Sequence, residues 1–102
     1  MSHFDLAAYA ALQNVDAVLA RWLPGGRLEG NEYVALNPTR DDRNLGSFKI
    51  NIKTGRWQDF ATGQKGFDLV DLVAMIEGCG HREAVAQLVA HVLHVRPAGL
   101  KR

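Results

Sequence analysis

YVALNPTRDDRNLGSFKINIKTGRWQDFATGQKG, residues 33–66, decides how this chain folds. Its centre alternates: Phe48, Ile50 and Ile52 fall on one side of an extended run, with Lys49, Asn51 and Lys53 on the other. That is the period-two signature of a half-buried strand. Lys53-Thr54-Gly55 reads as a tight turn into Arg56–Phe60, the last strand. Two short polar corners flank this pair, Asn37-Pro38-Thr39-Arg40 and Asp59-Phe60-Ala61-Thr62. Each has the x-x spacing with which a Cys-x-x-Cys or Cys-x-x-His knuckle sets two ligands on one zinc. Here the four positions hold Asn37, Arg40, Asp59 and Thr62, and an arginine, always protonated, ligates no metal. A scaffold of this shape must be held by packing and hydrogen bonds instead.

Working outward, Ser2 and Asp5 form a shortened capping box at the start of a helix. Ala8, Leu12, Val15, Leu19 and Trp22 recur at four- and three-residue intervals, which predicts one continuous helix ended by Pro24-Gly25-Gly26. Arg27–Glu29 and Glu32–Leu36 read as a hairpin around Gly30-Asn31, and 37–46 as a polar loop. Beyond the second corner, residues 61–66, a helix over Asp68–Glu77 turns Leu69, Leu72, Val73 and Ile76 inward and closes at Gly78. A last helix over His81–Val95 buries Ala84, Val85, Leu88, Val89 and Val92. The expectation is an α+β fold: a small antiparallel zinc-ribbon-like sheet without metal, one helix before it and two after it. Residues 1–95 form one domain and 96–102 a tail or the start of a linker.

The chain's 102 residues suit one small domain, and 47% apolar content is too high for disorder. One cysteine, Cys79, excludes an internal disulfide and a cysteine-based zinc site. Neither a signal peptide nor an apolar run of membrane-spanning length is expected, which suits the cytoplasm. The net charge of +1 conceals an asymmetry: residues 40–65 carry six basic side chains against three acidic ones, and the remainder is net acidic. A central basic segment points to an anionic partner.

Several pieces of the chain, in order, resemble the N-terminal zinc-binding domain of bacterial and phage DNA primases. Glu32–Arg40 resembles that family's Cys-Pro-x-His corner, and Gly46-Ser47-Phe48 its Pro-Ser-Phe strand. Trp57–Gly63 resembles the Tyr-x-Cys-Phe-Gly-Cys-Gly corner, Gly66-Phe67-Asp68 the start of the Gly-Asp helix, and Glu83-Ala84-Val85 the final Glu-Ala-Val helix. The resemblance runs from Tyr33 to Val92 and is to a metal-free form of the domain, as at the front of phage and plasmid primases and primase-helicases. It departs from the family pattern at all four ligand positions. It implies contact with DNA, single-stranded by preference, or RNA, and a helicase or polymerase domain as neighbour or partner. No cofactor follows from it.

The candidate nucleic-acid-binding residues are Arg40, Arg43, Lys49, Lys53, Arg56, Trp57 and Lys65. Lysine and arginine bind phosphates by charge, and an exposed aromatic stacks bases. The competing interpretation is a solvated outer face, which any small sheet needs. Trp57 is either a stacking platform or core filler, and partial burial is expected. Arg40 and Asp59, opposite in charge at two former ligand positions, predict an ion pair between the corners, with Arg40–Asp41 as the alternative pairing. Asn37 and Thr62 are expected to bond turn backbone.

The remaining reactive residues do not assemble a site. His91 and His94 share a helix face without a third ligand, and Cys79 has no acid–base partner pattern. Asp68 and Asp71 suit a helix N-terminus better than metal chemistry. Gly63-Gln64-Lys65-Gly66 lacks the ending of a phosphate loop. The sequence therefore points to a non-enzymatic template-positioning module of a primase or primase-helicase. The alternative is a protein-interaction or dimerisation module of a mobile-element replication protein.

Overall fold

A computed structural model describes residues 2–93, the side chain of His3 excepted; the expectations for His94, Val95 and the tail lie outside the described residues. Five strands form one antiparallel meander in the order of the chain: β1 (Arg27–Glu29), β2 (Glu32–Ala35), β3 (Phe48–Asn51), β4 (Trp57–Asp59) and β5 (Lys65–Gly66). Helices α1 (His3–Gln13) and α2 (Val15–Trp22) precede the sheet. Helices α3 (Leu69–Glu77) and α4 (His81–Leu88) follow it, and α4 runs into a π-helical turn over Val89–Leu93. The α+β, zinc-ribbon-like class expected from the sequence is the one observed.

Four details differ from the expectation. The last helix ends at Leu88, so Val89, expected in the core, is 37% exposed at the start of the π-helical turn. The first helix is two helices, broken at Asn14. Its side-chain Nδ2 donates to Ala10 O at 2.8 Å and its backbone N–H to the Ala11 and Leu12 carbonyls. Such local bonding offers the chain an alternative to the helical ladder. The sheet gains a fifth strand, because Lys65–Gly66 pairs back onto Trp57 and Gln58 where a loop was expected. Gly66 is needed there: a Cβ on it would come within 2.5 Å of the Trp57 indole. Finally, β3 ends at Asn51, so Ile52 and Lys53 belong to the turn.

Local signals hold elsewhere. The Ser2–Asp5 capping box is complete, and Asp68 caps α3 by accepting the Asp71 N–H at 2.8 Å. Gly78 ends α3 in the left-handed conformation at φ 67°. All four helices pack on one face of the sheet. Their core joins Ala11, Val18, Leu19 and Trp22 to Phe48, Ile50 and Trp57, and to Leu69, Leu72, Val73, Ala84 and Leu88. Tyr33 pins β2 to the end of α2: its hydroxyl donates to Leu23 O at 2.7 Å and accepts the Gly26 N–H at 3.1 Å.

Candidate nucleic-acid interface

The fold brings the two corners together on a buried carboxylate. Arg40 Nε donates to Asp59 Oδ2 at 2.7 Å and Arg40 Nη2 to Asp59 Oδ1 at 3.1 Å, a two-pronged arrangement that a guanidinium makes with particular strength. Asn37 Nδ2 donates to Asp59 Oδ2 at 2.9 Å, and the Ala61 N–H to Oδ1 at 2.9 Å. The Arg40 hydrogen bond holds the Asp59 carboxyl down to about 2 against the opposing effect of burial, with Asn37 and Ala61 assisting. The expected pair between the corners is thus present, and the Asp41 alternative is not. Asp41 instead holds Arg43 at 3.0 Å, both exposed.

Two participants went unrecognised in the sequence. Asp42 accepts the Asn37 N–H at 2.8 Å and lies 3.3 Å from Arg40 Nη2, and Ser47 Oγ accepts from the same nitrogen at 3.0 Å. Both sit within the polar loop or at its end, where spacing gives no hint of a partner. Asn37 Oδ1 accepts the Thr39 N–H at 2.9 Å, the backbone bond expected of it. Thr62 likewise accepts from backbone, the Gln64 N–H at 3.2 Å, but is exposed and stands apart from the cluster.

The other face of the sheet carries the second feature. Arg27, Val34, Lys49, Gln58 and Lys65 are register partners from strand to strand, so they form one row across all five strands. Arg56 and Phe60, the residues just before and just after β4, flank Gln58 in a groove. The groove has a volume of about 630 Å³, and its lining includes Glu32, Lys49, Arg56, Gln58, Phe60 and Phe67. Phe60 is 62% exposed and Phe67 67%. The Arg56 guanidinium lies 5.5 Å over the Phe67 ring. Among the described residues, Lys49, Arg56 and Lys65 have no carboxylate partner.

The predicted binding residues are therefore only partly brought together. Lys49 and Arg56 line the groove, and Lys65 lies one strand further along the row. Lys53 sits in the β3–β4 turn. Arg40 is committed to Asp59, and Arg43 to Asp41. Trp57 is 5% exposed, packs edge-on against Phe48 and donates from Nε1 to Asp68 O at 3.1 Å. Its ring is core, more deeply buried than expected, and not a stacking platform. Phe60 and Phe67 are the aromatics the surface offers. The parity of β4, which sets Phe60 opposite Trp57, was the signal for the first; Phe67 follows β5, which the sequence did not announce.

Other reactive groups are occupied structurally. His81 Nε2 pairs with Asp71, whose other oxygen accepts the Phe67 N–H at 2.9 Å. Burial pushes the Cys79 thiol up, reinforced by the charges of Glu83 and Glu77, so it is held away from the reactive thiolate. His91 lies edge-on to Trp22 and 3.5 Å from Arg21 Nη2. Among the described residues no three histidine, cysteine or acidic side chains gather as a metal-binding group, and no helix is long and apolar enough to cross a membrane.

No family model matches the chain, and no curated protein matches it. Among solved structures it is similar to a crystal structure of the Aquifex aeolicus primase comprising zinc-binding and RNA polymerase domains. The TM-score is 0.71 and the sequence identity 21%, covering 88% of this chain and 21% of that one. The likeness establishes a primase zinc-domain-like fold, and this chain spans about a fifth of that structure. The corner residues here do not fit zinc. A fixed guanidinium charge occupies the junction, both Asp59 oxygens are taken by donors, and Asn37 presents its N–H₂ rather than a lone pair to the carboxylate.

Proposed function

We propose that this chain is a nucleic-acid-binding, template-positioning module of a phage- or plasmid-type DNA primase or primase-helicase. It takes single-stranded DNA on the outer face of its sheet, without catalysis and without metal. The observation that carries this is the groove itself: Lys49 and Arg56, without a carboxylate partner among the described residues, beside two exposed phenylalanine rings. Cations that track a backbone, combined with aromatic rings for the bases, are the general means of holding a single strand. The primase-like fold supports the same assignment. The non-catalytic role is supported by Asp68 and Asp71, whose carboxylates cap α3 and anchor Phe67 instead of standing free for metal chemistry. A polymerase or helicase domain, on a continuing polypeptide or a partner, would supply the chemistry.

The test is fluorescence anisotropy with single-stranded DNA, double-stranded DNA and RNA at two ionic strengths. Affinity for single strands should fall steeply with salt. Phe60→Ala and Phe67→Ala should each weaken binding by about 1–3 kcal/mol, and Lys49→Glu with Arg56→Glu should abolish it while the melting temperature holds. Variants that bind like the parent chain would refute the assignment. A second reading, self-association, is favoured by Leu6 and Tyr9, exposed a turn apart on α1. A mass that rises with concentration, without affinity for any oligonucleotide, would select it.

A further inference from the structure

The geometry points to Gln58 as a base-reading residue, resting on the nucleic-acid reading above and adding sequence preference to it. Gln58 lies on the outer face of β4, with Arg56 just before the strand and Phe60 just after it, and all three line one groove. At about 3.3 Å per residue, Arg56 and Phe60 stand roughly 13 Å apart with Gln58 midway. Stacked bases rise about 3.4 Å each, so the interval is close to four rises, room for about three bases between its ends. One end is an open ring, Phe60, and the other is Arg56 lying over Phe67. The strand would enter with its bases facing this floor.

The polar groups of the floor divide by chemistry. Lys49 and Lys65 flank Gln58 on the neighbouring strands as its register partners, and with Arg56 they suit phosphate. Glu32 lines the far side of the groove and repels phosphate there, which confines the backbone to the cationic side. Asn51 is spent on its own turn, its Oδ1 accepting the Lys53 N–H at 2.8 Å and the Thr54 N–H at 3.1 Å. The Gln58 amide has no hydrogen-bond partner among the described residues, although the side chain is half-buried. It offers a donor and an acceptor side by side, neutral, at the centre of the groove. Backbone contacts position a strand, whereas contacts to base edges specify it. A glutamine amide pairs in two-point fashion with adenine, and the unpaired bases of a single strand can present that edge to the floor.

The experiment compares binding of the 102-residue chain to labelled oligo-dA, oligo-dT and oligo-dC of equal length at low salt. The parent chain should prefer oligo-dA by about five- to a hundred-fold, the range of a two-point base contact. Gln58→Ala should bring the three affinities together while leaving the weakest nearly unchanged, because stacking and phosphate contacts persist. Gln58→Glu, which only accepts, should move the order toward oligo-dC, whose amino group donates. Equal affinities in the parent chain, or an unchanged order in either variant, would overturn the role of Gln58 and leave nucleic-acid binding standing. A parent chain that binds none of the three removes both proposals. Unchanged melting of the variants shows that the fold is intact.

Discussion

Asp59→Ala tests whether the buried corner holds this fold. Asp59 has no exposed surface and accepts from Arg40, Asn37 and the Ala61 N–H. Removal leaves the equally buried Asn37 amide with an unsatisfied donor, at a cost of about 1–3 kcal/mol. Losing the Ala61 bond adds about 0.5–1.5 kcal/mol. Arg40 retains Asp42 at 3.3 Å and reaches solvent, so it adds no comparable penalty. The sum, about 1.5–4.5 kcal/mol, lowers the melting temperature of a domain this size by roughly 6–36 °C. The effect must also depend on pH. The native carboxyl titrates at about 2 instead of the ordinary 3.8, so the unfolded chain takes up that proton first. Its contribution is full above the ordinary value and is lost as pH falls from about 4 to about 2. The gap between parent and variant should therefore be widest near neutrality and close across that acid window. Melting followed by circular dichroism measures both. A drop smaller than about 3 °C, or a gap that stays constant into acid, would refute the reasoning.

Gly66→Ala places a methyl group against the Trp57 indole, at 2.5 Å without relaxation. It should destabilise the domain by about 1–3 kcal/mol and alter tryptophan emission; unchanged melting and emission would mean that the ring gives way freely. If the corners work without metal, a strong chelator and excess zinc should each leave the melting curve where it was, checked by differential scanning fluorimetry. A stabilisation that follows zinc concentration would contradict that proposal.

The legible parts of this protein were those in which neighbouring residues dictate conformation. Alternation exposed β3, Gly30-Asn31 announced the hairpin, and Ser2, Asp68 and Gly78 marked helix ends. The Arg40–Asp59 pair was also accessible, because two corners at knuckle spacing constrain which side chains can meet. What remained hidden depends on the third dimension. Nothing near Asn14 resembles a breaker, yet its side chain folds back on Ala10 and splits the helix. Asp42 and Ser47 become partners only when the loop closes over Arg40. Trp57 was expected to be partly buried and was offered for base stacking, but it shares the inner face of β4 with Asp59 and is wholly core. The same alternation sets Phe60 outside.

Knuckles built on thiolates are vulnerable to oxidants, which convert their sulfurs to disulfides or oxyacids. The junction of Asn37, Arg40 and Asp59 contains no sulfur, and the chain's single thiol, Cys79, follows α3 in the turn before α4. Peroxide therefore has nothing to attack where the two loops meet. Protons, which neutralise Asp59, are what would unfasten them.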